Sequence, residues 1–170
     1  MAKSLDAREE EKFIQIMKVL DAKWPESKIE PSLDRIKALV DILGAPQDTF
    51  RSIHIAGTNG KTSTSRMIDS LLQAFELRTG RFTSPHLESP LERISLNGTP
   101  ITPTFFNYTY NDIASYIDLI DQRSDSNGIP LSYFEVMTAI AFAAFADAPI
   151  DVAVLEAGMG GEWDATNVVS

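Results

Sequence analysis

Lys61 and Thr62 directly follow Gly60 in the stretch Ile53-His54-Ile55-Ala56-Gly57-Thr58-Asn59-Gly60-Lys61-Thr62-Ser63. Residue types in that order suit the holding of a nucleotide's phosphates. Backbone N–H groups of a glycine-containing turn and of the helix after it converge on one spot, where the helix dipole also favours an anion. Lys61 is placed to reach the outer phosphates as a point charge, and the Thr62 hydroxyl is a hard oxygen donor for Mg²⁺. The spacing departs from the general pattern, in which a glycine stands where this chain has Ile55; its first glycine is Gly57. Gly-Lys-Thr also occurs in ordinary turns, so the reading depends on the strand before it and the helix after it.

Those elements are legible. Ile53, His54 and Ile55 begin a β-branched run, and the loop reopens as a helix carrying Met67, Ile68, Leu71, Leu72 and Phe75. A second run, Ile150-Asp151-Val152-Ala153-Val154-Leu155, predicts a buried strand that delivers Glu156 to its carboxyl end. The glycine loop Ala157-Gly158-Met159-Gly160-Gly161 and the segment Trp163-Asp164-Ala165-Thr166-Asn167 follow. Thr79-Gly80-Arg81-Phe82-Thr83 predicts a third strand, ending in the polar loop Ser84-Pro85-His86-Leu87. Asn97-Gly98 between apolar residues predicts a hairpin over residues 92–101.

Helical spacing appears in Phe13, Met17, Leu20 and Trp24, in Leu33, Ile36, Leu39, Val40 and Leu43 after a Ser32 cap, and in Phe106, Tyr110, Ile113, Ile117 and Ile120 after Thr102-Pro103. A mostly apolar helix is predicted from Ser132 to Phe145. Strands alternating with helices imply an α/β fold, a mainly parallel sheet with helices on both faces. Ligands of such sheets sit outside the carboxyl ends of the strands, where loops 57–62, 84–87 and 156–164 would meet.

Composition bounds the partners. The 170 residues suffice for one domain with a substantial core, and 44% are apolar. A net charge of −9 with no basic run argues against a nucleic-acid partner. The absence of cysteine excludes disulfides, thiolate metal sites and thiol nucleophiles and fits a cytoplasmic location. The charged start, Met1 to Lys12, has no apolar core of a signal peptide. The most apolar region, Val136 to Leu155, is interrupted by Asp147, Pro149 and Asp151 and reads as buried helix and strand, not as a membrane span.

The motifs 54–63, Thr83-Ser84-Pro85-His86-Leu87 and 155–167 together resemble the folylpolyglutamate synthase/dihydrofolate synthase family of the Mur ligase superfamily. Muramyl ligases share the first motif; the other two separate the folate enzymes from them. The resemblance covers Ile29 to Asn167. It implies the incomplete N-terminal ATP-binding domain of an ATP-dependent ligase, with a fold of the phosphate-loop type. Such an enzyme joins the carboxylate of a dihydropteroate or reduced folate to L-glutamate through an acyl phosphate.

By the same resemblance, Gly57, Thr58, Asn59, Gly60, Lys61 and Thr62 hold the ATP phosphates, with Lys61 the catalytic cation. Ser84 and Glu156 ligate Mg²⁺. Pterin and benzoate contacts fall on Ile29, Glu30, Pro31, Ser132, Tyr133, Phe134, Trp163, Asp164 and Ala165. Glu162 stands where family members often carry Arg, which changes the charge of any contact made there. Family chains continue past the equivalent of Ser170 with a further His ligand, a carbamylated Lys and a C-terminal domain, so these residues alone are expected to be inactive and the full-length protein monomeric.

Plainer readings stand beside these. Glu156 alone could be a solvated strand end, and Ser84 alone an ordinary Ser-Pro turn. Tyr133 and Phe134 suit helix packing as well as folate contact. His86 reads as a structural loop residue, because phosphoryl transfer needs no imidazole, and His54 as packed or hydrogen-bonded. A muramyl-type peptide ligase and an inactive nucleotide-binding fragment remain as alternatives; a GTPase would need an Asn-Lys-x-Asp segment that these residues lack.

Overall fold

The structure, a computed structural model, describes residues 5–23, 32–123 and 129–169. The chain runs α1 (Leu5–Asp21), α2 (Asp34–Ile42), β1 (Arg51–Ile55), α3 (Lys61–Ala74), β2 (Thr79–Phe82), β3 (Ile94–Leu96), β4 (Thr99–Pro100), α4 (Pro103–Asp121), α5 (Tyr133–Asp147) and β5 (Val152–Glu156). Local chemistry sets several boundaries. Thr102 caps α4 by accepting from the Phe105 N–H, with Pro103 in the first turn. Ser132 and Glu135 form a capping box at the start of α5. Ser32 Oγ accepts from the Asp34 N–H at 3.0 Å, so its hydroxyl does serve the start of α2, although Leu33 is the last residue before the helix. Asn97 and Gly98 both take positive φ (47° and 77°), as the two-residue turn between β3 and β4 demands.

The sheet is ordered β1-β5-β2-β3-β4. β1, β5 and β2 are mutually parallel, and the β3–β4 hairpin continues the sheet antiparallel beyond β2. The sheet is therefore mixed: parallel where three loops must meet, antiparallel at the edge where a two-residue turn suffices. The Thr79 segment turns out to be a central strand with every residue buried.

Alternation along β2 separates the two faces. Thr79 and Arg81 face α3, where both approach Asp69. Gly80 and Phe82 face α5, against Phe145 and Phe134. α5 also packs against α1, α2 and α4, so it lies between the sheet and an outer helical layer. That position explains why the helix is apolar all round, with Val136, Met137, Ile140, Phe142 and Phe145 buried. From the outer layer, Phe13, Leu20, Ile36, Leu39, Phe106, Ile113, Ile117 and Ile120 complete the core. Among the described residues, no helix is long and apolar enough to cross a membrane.

The apolar residues of α3 are only partly used in packing. Ile68 and Leu72 are half-buried, but Met67, Leu71 and Phe75 are exposed. The fully buried positions of this helix are Ser65 and Asp69. The helix therefore docks on the sheet through a seam that is largely polar.

The close approach of α5 to the sheet needs a strand residue without a Cβ. A Cβ on Gly80 would lie 2.6 Å from Phe145 Cδ1 and 2.7 Å from Ile150 Cδ1. Gly80→Ala should therefore destabilise the fold by about 1–3 kcal/mol through overpacking, read as a lower urea midpoint. An unchanged midpoint would show that α5 can retreat without cost.

Candidate functional site

Because β1, β5 and β2 run parallel, their carboxyl ends lie side by side, and the turns leaving them share one edge of the sheet. The first of these turns, 56–60, leads from β1 into α3. Gly60, immediately before the helix, takes a left-handed φ of 75°, a conformation that costs glycine little. The turn therefore presents the first N–H groups of α3 outward, as an anion cradle does. Lys61 Nζ donates to the Gly57 carbonyl at 2.9 Å, which lays the side chain across the loop. Ser65 Oγ donates to the Lys61 carbonyl at 2.8 Å and braces the first turn from beneath.

Glu156 ends β5 and is only 1% exposed. The Thr62 hydroxyl lies 2.9 and 3.0 Å from its two carboxylate oxygens, and the Ser84 backbone N–H also donates to it. Burial pushes the Glu156 carboxyl up, opposed by the Thr62 hydrogen bond, the charge of Lys61, the Ser84 N–H and the charge of Arg81. An anion taken out of water and met by a hydroxyl and an amide, with no salt-bridge partner among the described residues, fits a divalent cation chelated between Thr62, Ser84 and Glu156. No group of three or more His, Asp or Glu side chains forms among the described residues, at this site or beyond it. One buried carboxylate beside a hydroxyl suits a cation that keeps water and takes its remaining ligands from phosphate, as Mg²⁺ does.

The third loop is held from within by Asp164, which is 5% exposed. Its carboxylate accepts from the Met159 N–H at 2.9 Å, from the Thr166 N–H at 3.0 Å and from the Thr166 hydroxyl. Since Thr166 gives its single hydroxyl hydrogen to Asp164, it accepts from His54 Nε2, 2.7 Å away. His54 is thus hydrogen-bonded, as its mid-strand position suggested, and it fastens the 156–168 loop to β1. Ala165 is buried in the core, while Trp163 (55% exposed) and Met159 (56%) stand out from the loop.

The other substrate-contact candidates lie nearby but are engaged. Ser132 caps α5 with Glu135, whose carboxylate also pairs with Arg35 at 3.2 Å. Tyr133 is 8% exposed beneath the Arg93 guanidinium, which lies 5.1 Å from its ring centroid. Arg93 Nε donates to His86 Nδ1 at 2.9 Å, so the Ser84–His86 loop is joined to the start of α5 through a buried cation. Phe134 packs on Phe82 and against Gly158, where a Cβ would sit 2.7 Å from its ring. Tyr133 and Phe134 therefore underlie the loops that border the site, and Trp163 alone of the aromatic candidates is openly presented. Ile29, Glu30 and Pro31 lie outside the described residues.

The motifs did not disclose Arg81, Asp69 or Arg93. A signal existed for Asp69, because Thr62, Ser65, Asp69 and Gln73 recur at helical spacing as a polar stripe. Arg81 stood out only as a charge inside an otherwise apolar strand candidate.

No protein-family profile matches the chain. It is 58% identical over 162 residues to the dihydrofolate synthase/folylpolyglutamate synthase of Mycobacterium tuberculosis, a match covering 93% of this chain and 33% of that protein. The solved folylpolyglutamate synthase of the same organism complexed with ADP superposes with a TM-score of 0.89 at 57% identity, covering 95% of this chain and 35% of that one. The bifunctional enzyme of Yersinia pestis complexed with AMPPNP and Mn superposes with a TM-score of 0.77 at 30% identity, covering 92% and 36%. The chain spans about a third of the length of the Mycobacterium tuberculosis and Bacillus subtilis relatives.

Asp164→Asn would turn one amide donor toward the Met159 N–H and leave that donor without an acceptor. Losing a buried acceptor costs about 1–3 kcal/mol, so amide exchange at Met159 should quicken about tenfold or more while the Val154 amide in β5 keeps its rate. Unchanged exchange at Met159 would remove Asp164 as the anchor of the loop.

Proposed function

The chain belongs to the folylpolyglutamate synthase/dihydrofolate synthase family, and we propose that it is the phosphate- and cation-binding part of the N-terminal domain of an ATP-dependent ligase that adds L-glutamate to a pteroate or folate carboxylate. The observation that carries this reading is the meeting of Thr62, Ser84 and Glu156 at the carboxyl end of three parallel strands, beside the N-terminus of α3. ATP supplies the γ-phosphoryl group that converts the substrate carboxylate into an acyl phosphate, with ADP leaving. The amine of glutamate then forms the amide bond as the acyl–phosphate bond breaks, phosphate departs and the amine loses a proton.

No protein nucleophile is needed; the chain's residues position and neutralise. The backbone of 57–62 cradles the phosphates, with Thr58 and Asn59 at its tip. Lys61 exchanges the Gly57 carbonyl for phosphate oxygens, a swap of one acceptor for a more negative one. Thr62, Glu156 and Ser84 would hold Mg²⁺ through hard oxygen donors, and the ion would supply charge neutralisation to the phosphates there. Trp163 offers a flat exposed face to a pterin, and Asp164 and Ala165 hold the loop that carries it. Tyr133 and Phe134 shape the floor, and Ser132 fixes the start of their helix. Ile29, Glu30 and Pro31 belong to the same substrate contact by the resemblance to the family. We place the protein in the cytoplasm, as a full-length monomer that takes small-molecule substrates and no nucleic acid.

Phosphate release by the intact protein, with ATP, L-glutamate and either dihydropteroate or tetrahydrofolate, tests the substrate class. Stimulation by a pterin is expected; stimulation by a muramyl precursor alone would transfer the chain to the peptide ligases. Lys61→Ala should reduce turnover to background while leaving the unfolding free energy from urea titration within about 0.5 kcal/mol of wild type, because the side chain's hydrogen bond is local, to the Gly57 carbonyl of its own loop. An active Lys61→Ala enzyme would refute the phosphate role.

A further inference from the structure

The polar seam beneath α3 contains a charge pair that the proposed chemistry does not use. Asp69 is 2% exposed and Arg81 8% exposed, with Arg81 Nε 3.4 Å from Asp69 Oδ2. Asp69 also accepts from the Thr79 hydroxyl and from Gln73 Nε2, at 2.9 Å for the latter. Arg81 Nη2 donates to Ser95 Oγ at 3.2 Å. The pair therefore ties three elements together: α3 through Asp69, β2 through Thr79 and Arg81, and β3 through Ser95.

Its place in the sheet is specific. Arg81 pairs with Val154 in the parallel register, so Arg81, Val154 and Glu156 share the face that α3 covers. Thr62 and Asp69 stand seven residues apart on α3, two turns along the same side of the helix. The tie at Asp69 thus fixes the depth at which Thr62 meets Glu156. Apolar packing contributes only through the half-buried Ile68 and Leu72, because Met67, Leu71 and Phe75 are exposed. A buried ion pair on a carboxylate that also accepts from the Thr79 hydroxyl favours one separation of helix and strand, whereas apolar surfaces tolerate sliding.

We infer that Arg81 is a positioning residue for the cation site: paired with Asp69, it sets α3 against β2 so that Thr62, Ser84 and Glu156 can share one metal ion. The inference rests on the phosphate- and metal-binding reading above. The phosphate cradle is local to the loop and first turn of α3 and travels with that helix. The cation site draws on α3, the end of β2 and the end of β5, and depends on how those three are set together. Loosening the Asp69–Arg81 tie should therefore damage metal binding more than metal-free phosphate binding.

The test uses the intact protein and measures ADP affinity by calorimetry with and without Mn²⁺, and Mn²⁺ affinity by its electron paramagnetic resonance signal. Arg81→Met, close in length and without charge, should weaken Mn²⁺ binding about tenfold or more, the scale seen when supporting contacts of a metal site are lost. Metal-free ADP affinity should stay within about threefold, a change worth less than half of a tenfold step in free energy. Arg81→Lys, which keeps the charge, should recover part of the Mn²⁺ affinity and covers the case in which the methionine variant does not fold. Asp69→Asn combined with Arg81→Met should cost little more than either alone, as expected of partners in one contact. Equal loss of metal-free and metal-dependent ADP binding, wild-type Mn²⁺ affinity in Arg81→Met, or no recovery by lysine would each overturn the inference. If the wild-type protein itself bound neither ADP nor Mn²⁺, the broader reading of the site would fall instead.

Discussion

A carboxylate placed where water cannot reach it constrains everything around it. Glu156 sits at the end of a central parallel strand, and its charge must be balanced by groups brought from other elements. The Thr62 hydroxyl arrives from a helix and the Ser84 amide from a neighbouring strand end. For those two to converge, β1, β5 and β2 must run in the same direction, and α3 must lie directly across them. The parallel half of the sheet and the position of α3 are thus bound to one buried charge. The hairpin at the far edge carries no such obligation and runs antiparallel.

The two faces of the sheet meet this constraint in opposite ways. On the α5 side, close packing prevails: Gly80 admits the Phe145 ring, and Phe134 rests on Phe82 and Gly158. On the α3 side, hydrogen bonds and a buried ion pair prevail, through Ser65, Asp69, Thr79 and Arg81. Burial pushes the Arg81 guanidinium down and the charges of Asp69 and Glu156 oppose it, so the cation is retained at a cost that the nearby carboxylates offset. Such contacts contribute little net stability, but they discriminate sharply between alternative placements of a helix.

How far the sequence discloses this depends on how local each feature is. The strands at 51–55 and 152–156, the Asn97-Gly98 turn and the capped helices α4 and α5 follow from patterns a few residues long. The turn before α3 also follows from its glycines, and the contact of Thr62 with Glu156 follows once the two motifs stand at neighbouring strand ends. The orientation of α3 is less visible, since its apolar residues suggested an inward face and the structure turns Met67, Leu71 and Phe75 outward. Asp164 shows the same limit: a loop acidic residue beside Trp163 suggests a ligand contact, while its oxygens are taken by Met159 and Thr166. Arg81, Asp69 and Arg93 gain their meaning from partners 12 residues away (Arg81 from Asp69) or on other elements (Arg93 from Tyr133), and no local pattern encodes that.

The bond between His54 and Thr166 joins the two sides of the site through one strand. His54 precedes the phosphate loop by three residues, and Thr166 organises the loop that presents Trp163. Ordering one loop therefore restrains an end of the other. A single imidazole in an edge strand thereby joins the turn before α3 and the loop that carries Trp163 in one framework.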